Sequence, residues 1–130
     1  MTLLITNNDK AERFCQNGKK KVEIVYLQEG TYLDVLNKAR DYVHRGYRLL
    51  THPLCGSVKP NQTPYRSVLL EEESSREDNF ESVQLIESSI EAANKFQRNR
   101  RTPSWNQRTS EDFKTVDLSF LTIFMERCYR

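Results

Sequence analysis

At 130 residues, with 37% hydrophobic and 29% charged side chains, the chain is sized for one ordinary domain that buries roughly two thirds of its unfolded surface. A net charge of +2 is too small to announce a nucleic-acid binder, and no apolar run approaches the ~20 residues that a membrane span needs. Three widely spaced cysteines (Cys15, Cys55 and Cys128) form no CxxC pair, which argues against a structural zinc site or a disulfide framework.

The opening MTLLITNND has no basic segment before its apolar residues and no small-residue cleavage pattern, so a secretory signal is not expected and a reducing cytoplasm is. LLIT at residues 3–6 reads as a short buried strand. Asn7, Asn8 and Asp9 favour a turn or a helix N-cap, because their side chains bond nearby backbone N–H groups. A short helix over Lys10 to Gln16 is then expected to stop at Asn17-Gly18. VEIVYL at 22–27 is the second strand. Thr31 and Asp34 form a capping-box-like start, with Asp in place of the usual Glu. Tyr32, Leu36, Ala39 and Val43 share one helical face behind it. His44 and Arg45 suit the negative end of that helix, and Gly46 ends it.

YRLL at 47–50 begins a third strand, which completes a βαβ unit. Tyr65 to Leu70 supplies a fourth. The 14 residues linking Thr51 to Pro64 are few for a parallel crossover, so an antiparallel fourth strand is the alternative. A helix from about Asp78 to Gln97 follows, with Val83, Ile86, Ile90, Ala93 and Phe96 inward. Pro103 breaks the chain within RNRRTPSWNQR. In the tail, Phe113, Val116, Phe120 and Ile123 follow one helical face, and Leu118, Leu121, Met125 and Cys128 another. A break near Asp117, acting as the N-cap of a second short helix, would explain the two faces. A homodimer interface on the C-terminal apolar segment is the sharper alternative.

Alternating strands and helices predict a single layered α/β domain over residues 1–130. Its sheet is expected to have about four strands, mostly parallel or mixed, flanked by helices. Ligands in such folds bind beyond the carboxyl ends of the strands. The turn after strand one and the loop Thr51–Ser67, THPLCGSVKPNQTPYRS, would open on the same edge. The candidate ligand-binding set there is Asn7, Asn8, Thr51, His52, Gly56, Ser57, Lys59, Thr63 and Tyr65. Gly56-Ser57-Val58-Lys59 combines backbone N–H groups near a glycine, a hydroxyl and an ammonium, a combination suited to a phosphate or carboxylate. It lacks the spacing of a P-loop.

Catalysis by Cys55 with His52 as base is disfavoured, since Pro53 biases residue 52 toward an extended conformation. No metal-ligand spacing links the two histidines, and no cofactor is expected. Asp112 and Asp117 suit caps and first-turn charges better than an acid–base pair. The glutamates Glu71, Glu72 and Glu73 suit a charged strand end. The basic stretch with Arg98, Arg100, Arg101 and Trp105 reads as a solvated loop rather than a nucleic-acid groove, which would need more aromatics and more charge.

LLITNN, RDYVHRGYRLLTHPL, GSVKPNQTPYRSVLL and EDFKTVDLS together resemble the GrdX family, small proteins encoded with the glycine reductase system of anaerobic amino-acid-fermenting bacteria. The resemblance spans about residues 3–121, and the THPL-GS-KP-TPY block is its specific part. It departs from the family's block at Gln62, where a glutamate is usual, and the family does not require Cys55. The resemblance implies an accessory role around glycine reductase, a selenium-dependent system releasing acetyl phosphate, without implying a reaction. Two functions from different classes follow. The favoured one is a non-catalytic binding or assembly protein that recognises an anionic metabolite or a glycine reductase component. The other is a small enzyme acting on a phosphorylated or carboxylated metabolite.

Overall fold

Two strands apolar on both faces organise the computed structural model, which describes residues 1–55, 57–72 and 79–127. β1 (Thr2–Thr6) and β4 (Ser67–Glu72) lie side by side at the centre of a four-stranded sheet. Leu3, Leu4 and Ile5 of β1 and Val68, Leu69 and Leu70 of β4 are all fully buried. Because successive strand residues face opposite ways, each strand feeds two cores. Leu3, Ile5, Val68 and Leu70 join one cluster with α2 (Tyr32–His44) and α3 (Phe80–Asn99). Leu4 and Leu69 join the other with Ala11 and Cys15 of α1 (Asp9–Gln16) and Leu121 of α4 (Gln107–Arg127). The result is a three-layer α/β/α domain.

The strand order is β2-β1-β4-β3, where β2 is Val22–Tyr26 and β3 is Tyr47–Leu49. β1 and β2 pair in parallel through α1, while β4 runs antiparallel to both β1 and β3. The sheet is therefore mixed, and the short Thr51–Pro64 link returns as an antiparallel strand, the direction held above as the alternative. β4 begins at Ser67 rather than Tyr65 and extends to Glu72. Glu71 lies opposite Arg48 in the register and pairs with it at 2.9 Å.

Local chemistry sets the helix ends. Asn8 caps α1 by accepting from Lys10 N. Thr31 and Asp34 form the reciprocal capping box at the start of α2. Gly46 follows that helix with φ 109°, a left-handed conformation that favours glycine. α3 is shifted two residues toward the C-terminus of its expected span. Asp78, its expected first residue, lies outside the described residues, as do Glu73 and Cys128.

The expected break at Asp117 does not occur. α4 is one continuous helix, and Asp117 is buried in its middle. The cap assignment failed because this carboxylate spends its accepting capacity on groups across the domain. No helix among the described residues is long and apolar enough to cross a membrane.

Candidate functional site

The carboxyl end of β1 and the start of β4 meet at one edge, where Thr6 pairs with Ser67. A buried polar network locks that edge. Asp117 Oδ1 accepts from Ser67 N (2.9 Å) and Arg66 Nη1 (3.5 Å). Its Oδ2 accepts from Ser67 Oγ (2.6 Å) and Asn8 Nδ2 (2.9 Å). Since Ser67 Oγ donates to the carboxylate and Thr6 Oγ1 accepts from Asn8 N, the 2.7 Å contact between the two hydroxyls is donated by Thr6. Every proton in this chain of hydroxyls has a defined direction. Arg66 extends the network to the loop after β3, donating from Nε to Pro53 O (2.8 Å) and from Nη2 to His52 O.

Asn7 ties three segments together. Its Nδ2 donates to Gly30 O (2.9 Å) and Pro64 O (2.8 Å), and its Oδ1 accepts from Arg66 N (2.9 Å). These contacts draw the turn before α2 and the end of the Thr51 loop around the tip of β1. Above them opens a cleft of about 1060 Å³, beyond the carboxyl ends of the parallel strands β1 and β2. That position is where open α/β sheets bind ligands.

One wall of the cleft comprises Gln28 to Leu33, from the turn after β2 into the first turn of α2. Pro64 and Tyr65 form its floor with Asn7. The opposite wall is the end of α3 and the segment after it, with Asn94, Gln97, Arg98, Arg100 and Arg101. Three arginines thus line the cleft, and Glu29 is the acidic residue of the lining. Arg98, Arg100 and Arg101 are exposed and have no ion-pair partner among the described residues. Tyr32 is buried against the cleft, and burial pushes its phenol up to about 12, against the opposing effect of Arg66. It therefore presents a neutral O–H, directed at Pro53 O (3.5 Å).

The basic wall is fixed by the Thr51–Ser67 loop. Asn61 Nδ2 donates to Phe96 O and Arg100 O, and Gln97 Nε2 donates to Pro60 O and Thr102 Oγ1. Trp105 Nε1 donates to Gln62 O (2.7 Å) while its ring lies 5.6 Å from that of Phe113. The loop's second half acts as a clamp on the arginine-bearing segment. One family, described as GrdX-like protein, matches residues 3–126. The chain belongs to this family. Comparisons with curated proteins and with solved structures return no match. The cleft, the polar network and the clamp of this GrdX-like chain all lie within the matched residues.

Of the residues singled out from sequence, Asn7 and Tyr65 line the cleft. Asn8 is the α1 cap and a partner of Asp117. Thr51 Oγ1 accepts from Leu69 N (3.0 Å), which joins the loop to β4. Thr63 Oγ1 accepts from Tyr65 N in a local turn. His52 is exposed, and its Nδ1 accepts from Leu54 N (2.9 Å). Ser57 and Lys59 are exposed, and neither lines the cleft. Ser57 Oγ lies 3.5 Å from Cys55 Sγ, while Lys59 N donates to Gln62 Oε1. Gly56 lies outside the described residues.

Cys55 thus has a hydroxyl beside it, and the ring nitrogen of His52 that a base would use is occupied by backbone. Cys15 is buried, and burial pushes its thiol up to about 11, the opposite of an activated nucleophile. Among the described residues no group of three or more His, Cys, Asp or Glu side chains is placed to hold a metal ion. Sequence reasoning missed Arg66, Ser67 and Asp117 as a unit, and the arginines as one wall of a cleft. The composition shift from the acidic Glu71–Glu91 stretch to the basic Lys95–Arg108 stretch was the available signal for the wall.

Proposed function

We propose that this GrdX-like protein serves the glycine reductase system as a non-catalytic accessory protein that binds a small anionic metabolite in the cleft. The carrying observation is a wall bearing three exposed arginines, without ion-pair partners among the described residues, beside a cavity at the carboxyl edge of the sheet. Guanidinium groups recognise carboxylate and phosphate through paired N–H donors. Asn94 adds a neutral donor and acceptor, and Tyr65 adds an aromatic floor, while the amide of Gln97 is spent on Pro60 O and Thr102. The start of α2 contributes less, because Asp34 already occupies its capping box. The fit is therefore to an anion held from the α3 side. A phosphorylated or carboxylated product of glycine reduction matches that chemistry.

Thermal denaturation with phosphate, acetyl phosphate and glycine tests the reading. At about 100-fold the dissociation constant, one bound ligand adds about 2.7 kcal/mol of stability. The expected result is stabilisation by an anion that disappears in Arg98→Ala/Arg101→Ala and persists in Lys59→Ala. Stabilisation that disappears in Lys59→Ala alone would move the site to the exposed loop. No stabilisation by any anion would overturn the proposal.

A further inference from the structure

The two apolar faces of α4 have different fates. Leu118, Leu121, Phe124 and Met125 close the α1 side of the sheet. Val116, Phe120 and Ile123 remain 38%, 39% and 48% exposed. A row of large apolar side chains along one helix is a costly surface to leave in water. We propose that this row is the interface of a two-fold dimer, and that its occupant is α4 of a second copy of this chain.

The charges flanking the row identify the occupant. Asp112 lies one turn before Val116 on the same strip of helix, and Arg127 lies one turn after Ile123. Both are exposed, and neither has an ion-pair partner among the described residues. The positions 116 and 123 share their midpoint with 112 and 127. An antiparallel pair of α4 helices that sets Val116 against Ile123 of the second copy therefore also sets Asp112 against its Arg127. The symmetry repeats that ion pair at the other end, and Phe120 falls beside the axis. A parallel pair in register would oppose Asp112 to Asp112 and Arg127 to Arg127. The strip is self-complementary in one orientation only, which is the property of an isologous interface.

The loop supplies the flank of this surface. A hollow beside α4 is lined by Cys55 and Val58 together with Phe113, Val116 and Phe120, and also by Thr63, Tyr65 and the buried Arg66 and Asp117. Val58 and Phe113 continue the apolar row laterally, so a neighbouring Phe120 would meet apolar side chains there. Apolar burial would drive the association, and the two ion pairs would set its register. Val116, Phe120 and Ile123 do not line the basic cleft.

Sedimentation velocity over a concentration series tests this on the full chain. The wild type is expected to sediment at twice the protomer mass. Phe120→Glu, which removes a central anchor from both copies, should weaken the dimer at least ~30-fold. Its far-UV circular dichroism should stay unchanged, since the side chain is outside both cores. Asp112→Arg should weaken the dimer, and Asp112→Arg/Arg127→Asp should restore it. A wild type that stays monomeric to about 100 μM, where a micromolar dimer would be populated, overturns the proposal, even if the stripe captures some other protein. So does a dimer indifferent to both Phe120→Glu and the charge reversals.

Discussion

Asp117 shows what a single residue decides in this fold. Its carboxylate accepts from two backbone-adjacent groups of Ser67, from the Asn8 amide and from the Arg66 guanidinium. Arg66 and Asp117 side chains are 7% and 3% exposed. Such a pair adds little net stability relative to an apolar pair, yet removing one member strands the other. Asp117→Ala is therefore expected to cost about 3–5 kcal/mol in chemical denaturation. It would leave Arg66 charged, and Ser67 N and Asn8 Nδ2 short of acceptors. A loss below about 1 kcal/mol would mean that water replaces the carboxylate, and that the network does not anchor the β4 start. Sequence reasoning placed Asn7 and Asn8 at the tip of β1 because their preferences are local. It could not place Asp117, whose partners are 50 and 109 residues away in the chain. A carboxylate in a helical pattern looks the same whether it caps a turn or crosses the sheet.

At the scale of elements, α2 was legible because all its determinants are local: a capping box, one apolar stripe and a left-handed glycine stop. α4 was not, because its length depends on what covers it. Its N-terminal half is held on α1 by a charge cluster. Lys114 Nζ lies 3.0 Å from Asp9 Oδ1, and Lys10 Nζ lies 3.1 Å from Glu111 Oε2. Burial works against the Asp9 carboxylate, but the hydrogen bond and charge of Lys114, with the charge of Arg13, outweigh it and hold its pKa below the ordinary 3.8. Burial likewise works against the Lys114 ammonium. Asp9, Tyr65 and Glu111 outweigh that effect and hold its pKa above the ordinary 10.5.

The signs define one pH window for this contact. A depressed carboxylate contributes stability above pH 3.8, lost as pH falls through its lower folded value. A raised lysine contributes stability below pH 10.5, lost as pH rises through its higher folded value. The melting-temperature difference between wild type and Lys114→Met should thus be flat across neutral pH and shrink at both extremes. Both groups are partly exposed, so the difference should also shrink in high salt. A difference that grew on acidification would show that Asp9 is not the partner responsible.

For the whole molecule, alternation of strands and helices was enough to give a layered α/β domain, because period-two and period-3.6 patterns report burial directly. The cleft was beyond that method. Its walls come from four separated stretches, which the hydrogen bonds of Asn7, Asn61 and Gln97 help to draw together across the fold. The sheet also has a consequence for unfolding. Leu4 of β1 belongs to the α1/α4 core, while its neighbours Leu3 and Ile5 belong to the α2/α3 core. Losing either helical layer exposes a strand that the other layer needs. The two cores should therefore melt together, in one transition. Leu121→Ala removes a buried side chain from one core and Ile86→Ala from the other. Each is expected to cost about 2–5 kcal/mol and to shift the same single transition. Trp105, held by Gln62 O and by the Phe113 ring at the α4 end, supplies a local fluorescence probe to set beside global circular dichroism. In Leu121→Ala the two signals should still coincide. If Trp105 fluorescence changed well before the circular dichroism did, the α1/α4 layer would be an independent unit that opens while the α2/α3 core stays closed, and the shared strands would not couple the halves.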